Sequence, residues 1–135
     1  MAQTTLLSAT ITTALTASIT APALVNLDNY GAVALHCNFT YGSSGTNAKF
    51  WVQSSLDGGS TWYDVACFAA TTASKIRIYN LSNRTAVSSI ATPTDGTLAD
   101  DTSVDGILGD RLRVKTTTTG TYAGSTTVVI SAVPH

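Results

Sequence analysis

Hydrophobic and polar positions alternate with a period of two along much of this chain. The clearest case is Ala32-Val33-Ala34-Leu35-His36-Cys37-Asn38-Phe39-Thr40-Tyr41, where Val33, Leu35, Cys37, Phe39 and Tyr41 fall on one face. Such alternation predicts a half-buried strand. Lys75-Ile76-Arg77-Ile78-Tyr79 alternates again, and Ile76 and Ile78 are expected to point inward. Residues 4–20 alternate loosely and fit two short strands or one bent strand. The runs 109–115 and 125–131 predict a terminal hairpin, joined through Gly120-Thr121-Tyr122-Ala123-Gly124.

The densest local pattern is Asp57-Gly58-Gly59, set between Phe50-Trp51-Val52-Gln53 and Trp62-Tyr63-Asp64-Val65. Strand-prone residues flank a turn that tolerates positive φ, which predicts a β-hairpin. Residues 42–47 read as a flexible loop, and 26–31 as a turn. Residues 83–106 read as a long surface excursion with a short strand at 86–90; loops of that length are usually functional or mobile. Eight or nine short strands at this spacing predict an all-β fold. The architecture expected is a two-sheet antiparallel β-sandwich, jelly-roll-like, in a single domain over 1–135. Residues 1–25 are expected to form an extended N-terminal arm.

Composition supports the β reading. Of 135 residues, 44% are hydrophobic and only 11% charged, less than half the usual quarter. Glu is absent, so every acid is Asp, and Thr and Ser fill the polar positions. Few good helix formers remain. A net charge of −1 gives no support for nucleic-acid or anionic-membrane partners. No apolar run approaches the roughly 20 residues that span a bilayer. The start, Met1-Ala2-Gln3-Thr4-Thr5, lacks a basic region, so no secretory signal is expected and synthesis is placed in the cytoplasm. Cys37 and Cys67 both fall in apolar strands and read as buried free thiols ahead of a disulfide.

Chemistry-bearing patterns are sparse. The chain has no Gly-x-Ser-x-Gly, no Walker loop and no paired Glu, and His36 and His135 stand alone. Asp57 and Asp64 read as turn and hairpin residues rather than a glycosidase pair. The Asp95, Asp100, Asp101, Asp105 cluster matches no calcium loop, so neither a metal nor another cofactor is expected. Arg111, Arg113 and Lys115 share one strand face, and Lys75 and Arg77 share a face of another. They read as solvated faces that discourage edge pairing or as a docking stripe for an acidic surface, which salt would weaken.

Ser55-x-Asp57-x-Gly59-x-Thr61-Trp62 resembles the Asp-box hairpins of sialidases and other glycan-processing propellers. In that family the box lies away from the catalytic centre, so the resemblance carries over no catalytic residue. Ser55, Asp57, Gly59, Thr61 and Trp62 are expected to form a structural turn. The wider run 50–65, with 30–35 before it and 109–115 after it, resembles small virion proteins of tailed bacteriophages. That resemblance spans roughly 24–70 and 107–131. It implies a non-enzymatic β-sandwich located in the virion and made in the host cytoplasm, foremost a capsid decoration (cement) protein. The implied partners are the major capsid protein or other virion subunits, and further copies of the chain in a homo-oligomer such as a trimer. The alternatives are a tail or tail-tip component binding host glycans, with Trp51, Trp62, Tyr63 and Tyr122 as aromatic platforms, or a carbohydrate-binding module.

Overall fold

Runs rich in Thr, Val and Ile pair into two antiparallel four-stranded sheets, because β-branched side chains pack well on a pleated surface. The computed structural model describes residues 3–20, 27–84, 86–104 and 106–135. The first sheet is built from β1 (Thr4–Thr10), β3 (Ala32–Thr40), β7 (Lys75–Ser82) and β10 (Thr127–Pro134), in the order β1-β10-β3-β7. The second is built from β2 (Ser18–Ile19), β5 (Asn47–Ser55), β6 (Tyr63–Ala70) and β8 (Arg111–Thr119), in the order β2-β8-β5-β6. Two-residue strands β4 (Ser43–Ser44) and β9 (Tyr122–Ala123) pair with each other at one end. A single 3-10 turn, Leu27–Asn29, is the one helical element among the described residues. The all-β sandwich expected from the pattern is the fold of this chain.

Inward side chains of both sheets form one core. Val33, Leu35 and Phe39 from β3 meet Phe50 and Val52 from β5, Leu112 and Val114 from β8, and Val128 and Ile130 from β10. Phe39 lies at its aromatic centre, 6.2 Å from Phe50 and 5.7 Å edge-on from Tyr122 between ring centroids. Such tilted and edge-on contacts suit the ring quadrupoles.

The hairpin around Asp57 is present: β5 and β6 pair antiparallel, with a register shift after Val52. The terminal hairpin is not. β8 pairs with β5 and β2, whereas β10 pairs with β1 and β3, so the chain crosses from one sheet to the other between them. Tyr122 is the reason. Its ring is buried against Phe39 and Tyr41, and its hydroxyl donates to the Thr71 carbonyl at 2.8 Å. A side chain plugged into the open end of the sandwich holds the connection as an arch. The 42–47 stretch is likewise more ordered than a free loop, because β4 pairs with β9 there.

Two further expectations change. Ile76 and Ile78 point outward, 60% and 74% exposed. Register decides this: β7 pairs Lys75 with Phe39, Arg77 with Cys37 and Leu81 with Val33. Residues directly opposite share a face, so the cations take the inward parity and the isoleucines lie beside Asn38 and His36. Residues 86–90 form no strand, Thr85 before them lying outside the described residues. In the N-terminal region, 4–10 pair with β10 in the same sandwich and 18–19 pair with β8. Residues 1–2 and 21–25 lie outside the described residues.

Phe39→Ala should lower the unfolding free energy by about 3–5 kcal/mol. Urea unfolding with an unchanged m value is the check.

Candidate functional site

The outer face of the second sheet carries most of the polar side chains singled out in the sequence, and the 83–106 excursion lies across it. Along β5 this face shows Lys49, Trp51, Gln53 and Ser55; the β8 partners are Thr117, Lys115, Arg113 and Arg111. Asp64 of β6 stands opposite Gln53.

Asp64 organises the layer. Its side chain is buried, and burying a carboxylate costs several kcal/mol unless donors replace water. Here the excursion supplies them. The Gly96 amide donates to both oxygens at 2.9 and 2.8 Å, the Thr97 and Leu98 amides follow at 3.1 and 3.2 Å, and the Thr94 hydroxyl at 2.8 Å. Gln53 Nε2 donates from below at 2.9 Å. Successive amides converging on one anion make a nest. Gly96 has φ +79°, the left-handed geometry that lets its amide turn down onto the carboxylate.

Main-chain bonds continue along the excursion. The Asp64 amide donates to Thr94 O, the Cys67 amide to Thr102 O, and the Val104 amide to Val65 O. Residues 94–104 thereby cover the free edge of β6. Trp51 is buried beneath, its indole N–H donating to Leu98 O at 3.0 Å.

The basic residues of the expected stripe are each engaged within the chain. Lys115 pairs with Asp95 at 2.8 Å, and Asp95 also accepts from Gln53 at 2.7 Å. These two bonds hold the Asp95 carboxyl below its ordinary pKa. Arg113 donates to Gln53 Oε1 at 2.9 Å and lies 4.3 Å from the Trp62 ring centroid, a cation–π contact. Arg111 binds Asp110 at 3.1 Å. On β7, in the other sheet, Lys75 binds Asp101 at 3.2 Å, with Arg77 3.9 Å from the same carboxylate. The stripe is therefore divided between two sheets. The acidic cluster is dispersed in the same way: Asp95, Asp100 and Asp101 pair with Lys115, Lys49 and Lys75. Asp105 lies outside the described residues.

The Asp-box residues are hydrogen-bonded to one another around the β5–β6 turn. The Ser55 hydroxyl donates to Asp57 at 2.8 Å and accepts from the Gly59 amide at 2.9 Å. The Thr61 amide donates to Asp57 at 2.7 Å, and the Trp62 indole to Gly59 O at 2.9 Å. Gly59 has φ +98°, out of reach for most L-residues. Hydrogen bonds from the Thr61 hydroxyl and amide, then from Ser55, pull the Asp57 pKa down to about 2.

Aromatic platforms are mostly withdrawn. Trp51, Tyr63 and Tyr122 are buried, and Trp62 is half-covered by Arg113. Cys37 and Cys67 are buried and free, with burial as the main reason both thiols rise to about 12. Cys37 faces the core from the first sheet and Cys67 lies under the excursion, on different layers. Between the excursion and the hairpin opens a cleft of about 230 Å³, lined chiefly by Leu56, Tyr63, Pro93, Leu98, Val104 and Ile107. Its one carboxylate, Asp64, is already saturated with donors. The arrangement binds a loop to a sheet and leaves no free acid, base or nucleophile in that cleft.

Sequence reading missed Asp64 as an anchor. The available signal was an Asp at a position whose neighbours in the strand are apolar, followed some thirty residues later by Asp95-Gly96. No protein-family model matches the chain, and neither does any curated protein or solved structure compared with it.

Asp64→Ala should cost roughly 3 kcal/mol, the scale of lost hydrogen bonds to a buried charge. Hydrogen exchange should locate the loss in the amides of 94–104, with Trp51 fluorescence shifting to the red. Protection unchanged over 94–104 would remove Asp64 as the anchor. A second outcome concerns Asp57. Its pKa is lower folded than unfolded, so its stabilisation is complete above about pH 4 and lost as pH falls through about 2. Asp57→Asn should have a lower melting temperature than the native chain above that window, and the two should converge below it. Asp95 and Asp110 titrate in both proteins, so the difference isolates Asp57.

Proposed function

We propose that this chain is a non-enzymatic structural subunit of a tailed-bacteriophage virion, and specifically a decoration protein of the capsid. The observation that carries the proposal is how the surface is divided. Polar groups of the second sheet are consumed in internal bonds, while large aliphatic side chains stand in solvent. Leu56, Ile76, Ile78, Val87 and Ile90 are 69%, 60%, 74%, 44% and 103% exposed. Ile76 and Ile78, side by side on one face of β7, form the part of this surface that favours contact with other subunits. The resemblance of the 50–65 and 109–115 segments to small virion proteins supports the same reading.

The mechanism is passive. Copies made in the host cytoplasm seat on the assembled shell, against the major capsid protein or its neighbours, and bury these aliphatic positions across subunit boundaries. A ligand that binds only the assembled state shifts the equilibrium against disassembly. The glycan-binding alternatives depended on aromatic platforms, and three of the four rings named for that role are buried. The cations of the stripe, already engaged within the chain, leave apolar contact as the main source of affinity.

Quantifying the protein in purified particles is the test. Many copies spread over the head are expected. A few copies at one vertex would assign it to the tail, and absence from particles would overturn the virion reading.

A further inference from the structure

The four outermost strands treat their open sides differently, and one is left ready to pair. β6 is covered by residues 94–104 through main-chain bonds. β2 is only two residues long. β1 carries a register shift between Thr5 and Leu7, a bulge that discourages pairing. β7 is regular over eight residues and exposes Ile76 and Ile78.

Its bonding register can be read directly. The Asn83 amide donates to Gly31 O, so alternate residues back along β7 (Leu81, Tyr79, Arg77, Lys75) turn their main-chain groups toward β3. Ser82, Asn80, Ile78 and Ile76 turn theirs to the open side. Ser82 O is already taken by the Gly106 amide at 2.7 Å. Ile76 O is covered only by the guanidinium of Arg77, at 3.2 Å. Among the described residues nothing else reaches the outward main-chain groups of Ile76, Ile78 or Asn80.

We propose that β7 pairs antiparallel with β7 of a second copy of this chain, about a two-fold axis at Ile78. Three constraints select that register. An axis falling between residues would set outward-turned groups against inward-turned ones and make no ladder. An axis at Arg77 would place two guanidinium side chains directly opposite, which is destabilising. An axis at Tyr79 would require Ser82, whose carbonyl is occupied. With the axis at Ile78, Ile78 faces its own copy and Ile76 faces Asn80 of the partner subunit. Each such pair exchanges two main-chain bonds. Arg77 then lies opposite the partner's Tyr79, a cation beside an aromatic ring, and Ile76 O exchanges the guanidinium for an amide. The ladder ends at Leu81, short of the Ser82–Gly106 bond.

The side chains of β7 favour a second copy. In this register each cation meets a neutral residue, Arg77 the partner's Tyr79 and Lys75 the partner's Leu81, while Lys75 and Arg77 also share Asp101 within the chain. Isoleucine on isoleucine then supplies the apolar contact. The product is a continuous sheet running β1-β10-β3-β7 and back through the second copy. This pairing draws on Ile76 and Ile78, two of the positions assigned above to the capsid contact, but it is tested on the free chain. It makes a two-fold dimer, one form of the homo-oligomer expected from the sequence.

Sedimentation equilibrium of the full chain should show dimer forming in the micromolar range, and Ile78→Lys should abolish it while the melting temperature of the monomer is retained. Cysteine cross-linking reads the register. Opposed residues of a bonded pair stand about 5.5 Å apart at Cα, within disulfide range. Under mild oxidation Ile78→Cys should therefore cross-link with itself. Asn80→Cys should do so only when mixed with Ile76→Cys. A chain that stays monomeric or forms trimers would overturn the proposal. Asn80→Cys cross-linking with itself as readily as Ile78→Cys would overturn it too.

Discussion

A buried carboxylate and the amides that solvate it set the shape of this molecule. Asp64 sits where water cannot reach it, and a charge there is tolerable only if fixed dipoles stand in for the lost hydration. Those dipoles come from residues 94–98, far along the chain, so the requirement of one side chain dictates the path of a whole segment. Once that segment is pinned, its continuation runs beside β6 and seals the edge with main-chain bonds. Trp51 and Cys67, which would otherwise face solvent on the outer side of the sheet, become interior.

Sealing one edge gives the two sheets different characters. The second sheet is finished: both faces are covered, Lys115, Asp95, Gln53, Asp64 and Arg113 are joined in one network, and Lys49 and Arg111 pair separately with Asp100 and Asp110. The first sheet keeps an open face and an open edge at β7, with Ile76 and Ile78 on the outside. Sandwich proteins generally blunt such edges with bulges, charges or cover. β1 is blunted by a bulge and β6 by cover, whereas β7 turns its cations inward and its aliphatics outward. That inversion leaves an aliphatic strand edge in solvent.

Charge works here as internal cement rather than as a field for steering partners. Asp95 bridges Lys115 and Gln53, Asp101 holds Lys75, and Arg113 closes over Trp62 at the base of the Asp-box turn. The turn itself is self-contained, because Ser55, Asp57, Thr61 and Trp62 satisfy its main-chain groups locally.

Local chemistry alone determined much of this protein. Period-two alternation marked β3 with its inward Val33, Leu35, Cys37 and Phe39, and Asp57-Gly58-Gly59 marked the β5–β6 hairpin. In both cases the information lies within a few residues, where strand pleat and turn geometry act directly. Three features were decided only by the tertiary structure. Ile76 and Ile78 face outward because β7 takes its parity from β3, and a five-residue alternation reads equally well in either direction. Residues 111–119 and 127–134 belong to different sheets because Tyr122 finds its place beneath Phe39, a contact between distant segments. Asp64 became an anchor because the amides that solvate it arrive from thirty residues away. Sequence periodicity specifies that a strand has two faces; which face meets the core depends on the neighbour it pairs with, and that neighbour is chosen by the packing of the whole chain.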